Sequence, residues 1–458
     1  MINLQQVTYS HRDLTVFDCL SLEFESGVNY LIEGMNGTGK TTLLNLIAGY
    51  VQPTSGKVHY AFINDHLDWD QKYNLRKTNI HFVPTHALHE LMHGPELFYQ
   101  QRYYTIENSP VPTVKDFFGH RYERLANFQF PDSFNIHHLL NLELPRLSNG
   151  QFKKIIILKQ LLDNLPKVLL LDYPFEGLDP ISRTELREFL DHLVIAFNIQ
   201  LIIADHDHGQ LPKTLAKKIV LNNSTAIITD RKENINQNDF SPLPLPIAKK
   251  TKPVVEMRNL KIQYGDSIIL KNLNWKVNEG ERWALTGRNG SGKTTLFSLI
   301  YADHPMAYSE PVYLFGKRRG TGESIWDIKK RISYLGPEQL HFLDHATEQC
   351  TVREYLEKAQ ASSISLNQLI EQFQIESILS KKLQQLSNGQ LQLTLLLSLF
   401  LSQKELLLLD EPFQFLDSLQ KNRVNEYLHD HLDPSTTLIL ITHYEEDVAR
   451  WTHHRLKL

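Results

Sequence analysis

The sequence predicts an α/β chain of two tandem domains that share one fold, each with a mainly parallel sheet at its core. Three observations predict it. A glycine-rich loop lies twice between an apolar strand and a helix of apolar periodicity. Short, wholly apolar runs at 168–171, 201–203, 406–409 and 438–441 read as strands buried on both faces, the mark of a parallel sheet. Finally, paired positions recur at nearly constant spacing: Gly34/Gly287, Leu147/Leu386, Asp172/Asp410 and His206/His443 are offset by 253, 239, 238 and 237 residues, by subtraction.

In chain order, the first domain covers residues 1–230, a linker 231–253 and the second domain 254–458. Val28-Asn29-Tyr30-Leu31-Ile32 is the strand before the first loop, and Thr42-Leu43-Leu44-Asn45-Leu46-Ile47 the helix after it. Trp283-Ala284-Leu285 and Thr295-Leu296-Phe297-Ser298-Leu299-Ile300 repeat that arrangement. The distance from loop glycine to paired leucine is 147 − 34 = 113 residues in the first half and 386 − 287 = 99 in the second. The first half therefore carries the longer insertion, placed between Trp69 and Pro112. The linker holds Pro242, Pro244, Pro246 and Pro253 beside Lys249, Lys250 and Lys252, and repeated prolines exclude helix interiors and central strands. About 25 extended residues at ~3.3 Å each reach roughly 80 Å. That span lets the two domains meet head to tail as an intrachain dimer.

Composition narrows the class. A net charge of −4 and a pI near 6.6 give no global electrostatic case for nucleic acid or an anionic membrane. Cys19 and Cys350 are the only cysteines, which excludes a disulfide framework, a multi-cysteine iron–sulfur cluster and an all-cysteine zinc site. Met1-Ile2-Asn3-Leu4-Gln5-Gln6 lacks the basic and apolar regions of a signal peptide. The most apolar stretch, 391–409, is interrupted by Gln392, Gln403, Lys404 and Glu405, short of the ~20 apolar residues a span needs. The expected location is cytoplasmic, or peripheral at the inner face of the cell membrane through a partner.

Gly34-Met35-Asn36-Gly37-Thr38-Gly39-Lys40-Thr41 and Gly287-Arg288-Asn289-Gly290-Ser291-Gly292-Lys293-Thr294 both fit the spacing G-x-x-x-x-G-K-[ST]. Their glycines let backbone N–H groups curl around phosphate oxygens at a helix N-terminus. Lys40 and Lys293 reach the outer phosphates, and Thr41 and Thr294 offer hydroxyls to Mg²⁺. Asn36, Thr42, Asn289 and Thr295 complete the expected ATP contacts. Asp172 and Asp410, each ending an apolar strand, are the metal-side carboxylates. After them the halves diverge, because Leu409-Asp410-Glu411-Pro412 answers to Leu171-Asp172-Tyr173-Pro174. A phenol, ordinarily titrating at about pH 10, cannot replace a carboxylate as general base at neutral pH. The chain is therefore expected to bind two ATP and hydrolyse mainly one.

Leu-Ser-Asn-Gly-Gln occurs at 147–151 and again at 386–390, each just before a long apolar helix. With the loops and aspartates, this resembles the ATP-binding cassette (ABC) ATPases, whose signature is Leu-Ser-Gly-Gly-Gln. Asn149 and Asn388 are mild departures if left-handed backbone is required, since asparagine tolerates it. The resemblance implies P-loop domains with an antiparallel β part and a helical subdomain besides the parallel core. It implies that Tyr9 and Tyr264 stack on adenine, and that Gly177-Leu178-Asp179 and Phe415-Leu416-Asp417 link the sites. It also makes His206 and His443 the switch histidines. Sites would be composite: Lys40, Thr41, Asp172, Tyr173 and His206 with Ser387 and Gly389, and Lys293, Thr294, Asp410, Glu411 and His443 with Ser148 and Gly150. Glu411, His443 and Lys293 are the catalytic candidates.

Both halves depart from the family at the glutamine that contacts Mg²⁺ and relays nucleotide state. The first reads Phe82-Val83-Pro84-Thr85-His86, with threonine there, and the second Tyr334-Leu335-Gly336-Pro337-Glu338-Gln339, where Gln339 fits only in a shifted register. Asp303 through Arg331 is similar to ModF-type proteins, tandem ATP-binding proteins associated with molybdate transport genes, and a looser resemblance covers the chain. Six basic residues there, Lys317, Arg318, Arg319, Lys329, Lys330 and Arg331, read as a solvated face rather than a phosphate-binding patch. His86, His89 and His93 read as chance spacing, and Tyr99–Tyr104 as a contact surface or a cap. The expected function is an ATPase that energises or regulates a transport system with separately encoded membrane permease subunits. The alternative is a regulatory tandem cassette on ribosomes or another nucleic-acid assembly.

Overall fold

The structure, a computed structural model, describes all residues except 12–13, 65, 86–111, 128–135, 145–146, 148, 207–210, 223–224, 232–251, 265–266, 288–289, 337–338, 340–342, 344, 360–365 and 434. The chain divides into two compact units, Met1–Gln237 and Asn238–Leu458.

In the first unit, β1 (Ile2–His11) pairs antiparallel with β2 (Leu14–Phe24). The main sheet gains β3 (Tyr30–Gly34), and β4 (Ser55–Tyr60) closes a three-stranded antiparallel sheet on the other side of β1. Then come β5 (Ile80–Val83), β6 (Val168–Asp172), β7 (Gln200–Ala204), β8 (Lys217–Asn222) and β9 (Thr225–Asp230). The main sheet runs β5-β6-β7-β3-β8-β9, parallel throughout except for the terminal hairpin. Its apolar runs serve two cores at once, because successive side chains point to opposite faces. Leu169, Leu171, Leu201 and Ile203 pack with the helices Asn149–Asp163 and Pro180–Phe197. Val168, Leu170, Ile202 and Ala204 face the helix Lys40–Ala48 and the antiparallel sheet. Full burial on both sides is why these segments carry no polar alternation.

The second unit repeats the plan. The strands β10 (Pro253–Tyr264), β11 (Ser267–Asn278), β13 (Val312–Leu314) and β14 (Lys317–Arg318) form the antiparallel sheet β11-β10-β13-β14. Five parallel strands follow the order β15-β16-β17-β12-β18, from Arg282–Thr286 (β12), Ile332–Leu335 (β15), Leu406–Asp410 (β16), Thr437–Ile441 (β17) and His454–Lys457 (β18). Helices Val352–Ala359 and Leu366–Phe373 join the helix Asn388–Ser402 in a separate apolar cluster with Leu407 and Leu409. The repetition extends to backbone detail. Gln6 and Asn259 have φ +48° and +49°, and Cys19 and Asn272 +52° and +54°, each pair 253 residues apart. The left-handed region is rare for such residues, so sharing it marks one architecture used twice.

Two sequence expectations change. Neither Asn149 nor Asn388 is left-handed: each opens a helix, and Ser387 caps the second, its Oγ accepting from Gln390 N at 3.3 Å. That position needs ordinary helical backbone, which asparagine also adopts. The basic run 317–331 is not one solvated face either. Arg319 is 1% exposed with its guanidinium against the Tyr308 ring, Lys329 pairs with Asp303, and Arg331 with Glu405. Residues His86, His89, His93, Tyr99 to Tyr104 and most of the linker lie outside the described residues. No described helix is long and apolar enough to cross a membrane.

Candidate active sites

Each glycine loop joins the carboxyl end of a central strand to a helix, the place where open parallel sheets bind ligands. Gly39 and Gly292 sit at φ +93° and +96°, and a Cβ on Gly39 would come within 2.7 Å of Val16 and Phe17. Only glycine brings the chain into the helix there, leaving the first N–H groups facing the loop. The Lys40 ammonium donates to the Gly34 and Met35 carbonyls at 2.6 and 2.9 Å, and Lys293 to the Gly287 carbonyl at 2.9 Å. The strand β2 walls this loop through Phe17, whose cross-strand partner is Tyr9. That places Tyr9 one strand away from the phosphate cradle, half-buried against the core.

In the first unit, Thr41 Oγ1 lies 3.2 and 3.1 Å from the two carboxylate oxygens of Asp172. Thr85 adds a second hydroxyl, donating to Asp172 Oδ2 at 2.9 Å and to its backbone carbonyl at 3.1 Å. Burial pushes the Asp172 carboxyl up, and the hydroxyls of Thr85 and Thr41 oppose that shift by favouring its charged form. Tyr173 is held at φ +49°, its ring centroid 5.4 Å from that of His206 and 5.8 Å from the Lys40 ammonium.

The second unit presents the same frame with different chemistry. Thr294 donates to Asp410 Oδ2 at 3.3 Å, and Glu411 takes the same left-handed turn at φ +50°. There Glu411 Oε1 lies 3.5 Å from His443 Nε2. In both units a threonine hydroxyl and an aspartate carboxylate converge, a hard-oxygen pair that fits Mg²⁺.

Beneath each turn lies a donor that the motifs do not flag. Lys153 is buried in the first unit and donates to the carbonyls of Tyr173 and Pro174 at 3.1 Å each and of Glu176 at 2.5 Å. At the matching position Gln392 donates to the Glu411 and Pro412 carbonyls at 3.4 and 2.9 Å. Burial pushes Lys153 down to about 8 and Asp205 up to about 7, with the Glu176 charge opposing the first shift and reinforcing the second. The only sequence signal was position, two residues past each Leu-Ser-Asn-Gly-Gln.

Lys40, Thr41, Asp172, Tyr173 and His206 thus meet within the first unit, and Lys293, Thr294, Asp410, Glu411 and His443 are gathered in the second by the same turn-and-loop frame. Gly150 and Gly389 lie buried in the first turns of their helices. Asp179 and Asp417 cap the following helices, accepting from Ser182 N and Gln420 N at 2.9 Å. Ser148, Asn289 and the Tyr264 side chain lie outside the described residues.

Fold and site together define a tandem P-loop ATPase. The chain belongs to the ABC transporter family, whose domain matches residues 17–176 and 270–414. It is 29% identical to the ABC transporter ATP-binding protein ModF of Escherichia coli, covering 100% of this chain and 96% of that protein. An uncharacterized ABC transporter ATP-binding protein of Schizosaccharomyces pombe is 28% identical over 99% of this chain and 97% of its own length. Among solved structures, an archaeal ribosome recycling factor in complex with a ribosomal stalk protein superposes with TM-score 0.57 at 18% identity, covering 99% of this chain and 87% of that one. At that identity the likeness shows the fold.

Proposed function

We propose that this ABC ATPase binds two ATP with Mg²⁺ at composite sites, hydrolyses mainly the one held by the second unit, and serves a transport system with separately encoded membrane subunits. One observation carries the asymmetry: Tyr173 and Glu411 occupy the same left-handed turn after the metal-side aspartate, and only Glu411 offers a carboxylate, 3.5 Å from His443.

Bound Mg²⁺ supplies charge neutralisation at the β- and γ-phosphates. Thr294 and Asp410 would hold it in the second unit, and Thr41 and Asp172 in the first. Lys293 neutralises the outer phosphates, while Glu411 orients the attacking water and accepts its proton. His443, hydrogen-bonded across to Glu411, keeps that carboxylate aimed. In the first unit Tyr173 presents a phenol, so nucleotide is held without a base. The two units would complete each other's sites through Ser148 and Gly150 on one side and Ser387 and Gly389 on the other.

The transport assignment is supported by full-length similarity to ModF. A second reading, a regulatory ATPase on ribosomes or another nucleic-acid assembly, is favoured by Thr85, which stands where transport cassettes keep a relaying glutamine. Affinity capture with tagged Glu411→Gln protein, ATP and Mg²⁺ from membrane and ribosome fractions separates them. Recovery of a multi-span membrane protein, lost with Lys293→Ala, is expected; ribosomal proteins instead would install the second reading.

A further inference from the structure

The sequence gives Thr85 as a loss, a threonine where a glutamine is usual, but the structure gives it a partner. Its hydroxyl donates to Asp172 Oδ2 at 2.9 Å and to the Asp172 carbonyl at 3.1 Å, across 87 residues of chain. Thr41 reaches the same carboxylate from the other side at 3.1 and 3.2 Å. Two hydroxyls from separate elements therefore fix the rotation of one buried carboxylate. Thr41 belongs to the phosphate loop and is shared with whatever that loop binds. Thr85 touches Asp172 by hydrogen bonds alone among the described residues, so it remains as the orienting donor. The second unit has no such hydroxyl: β5 and β15 are offset by 332 − 80 = 252 residues, which sets Pro337 opposite Thr85.

We infer that Thr85 is a positioning residue of the first site, holding the Asp172 carboxylate in the orientation that accepts the divalent cation of a bound nucleotide. This rests on the reading above that the first site binds nucleotide. A short hydroxyl that bonds the aspartate directly does the orienting work locally, whereas a longer amide would reach past it. The first site thereby keeps its cation dependence although it has given up its base.

The test is equilibrium binding of a fluorescent ATP analogue to the full chain carrying Lys293→Ala, titrated with Mg²⁺, with Thr85→Val and Thr85→Ser added in turn. Valine keeps the shape and removes the hydroxyl; serine keeps the hydroxyl. Thr85→Val is expected to raise the Mg²⁺ concentration for half-maximal binding about tenfold, as loss of one hydrogen bond to a charged group implies. Thr85→Ser should stay near the parent, and binding in EDTA should be equal in all three chains. An unchanged Mg²⁺ requirement in Thr85→Val overturns the assignment, as does an equal loss with and without Mg²⁺, which marks a structural role. Failure of the Thr85 parent to bind any nucleotide strikes down the first-site reading itself and this assignment with it.

Discussion

Tyr173 and Glu411 show how much one side chain decides when the backbone does not change. Both sit at left-handed φ, +49° and +50°, after the last residue of a buried strand, so the turn aims either side chain at the phosphate loop. What differs is basicity. Glu411→Gln is expected to lower turnover by ~10²–10⁴-fold, the usual worth of a general base, while ATP binding persists. Tyr173→Phe should leave turnover within about twofold of the parent, because no proton passes through a phenol there. Phosphate release and nucleotide binding measured side by side check both; comparable residual activity in Glu411→Gln would mean that the first site hydrolyses. The glycines, lysines, hydroxyls and carboxylates of this chemistry were legible because each motif is contiguous. Lys153 and Thr85 were not, since what they bond lies 20 to 87 residues away and is set by tertiary contact.

At the scale of elements, the helix Asn149–Asp163 does more than begin with a signature. It carries Lys153 under the turn that displays Tyr173, where the buried ammonium satisfies three carbonyls beside Glu176 and Asp205. Removing one partner from a buried charged group costs about 3–5 kcal/mol. Lys153→Met should lose stability of that order in urea unfolding of the first unit, and Lys153→Gln, which copies Gln392, should recover much of it. A loss within about 1 kcal/mol for methionine would show that the carbonyls find other donors. Asp205 adds a pH signature. Burial pushes its pKa up to about 7 from 3.8. Between those values the folded chain keeps a proton that the unfolded chain has released, so stability falls as pH rises through the window. Asp205→Asn should flatten the first unit's urea midpoints between about pH 4 and about pH 7; an unaltered slope would assign it to another group. The strands themselves were readable, since runs such as Leu406–Leu409 admit only a doubly buried place. The asparagine of the signature was misread, because a single residue type does not reveal whether its backbone is left-handed or helical.

For the whole molecule, two copies of one architecture with one base between them predict unequal fates for two nucleotides. A chain loaded with ATP and Mg²⁺, then stripped of free nucleotide after a single turnover, should retain one intact ATP. Extraction and chromatography of the bound nucleotides measure it, and two ADP per chain would remove the asymmetry. The sequence by itself determined the doubling, the phosphate loops, the metal-side aspartates and the missing base. Each of these is carried by residues a few positions apart, whose geometry is set by a glycine turn or one strand end. Only the tertiary structure decided that Thr85 meets Asp172, that Lys153 lies beneath Tyr173 and that Arg319 is buried. Those meetings depend on the strand order β5-β6-β7-β3 and on the close packing of helix against sheet. Local periodicity does not encode either one, because burial of an apolar face specifies that a partner exists and leaves open which distant residue it brings.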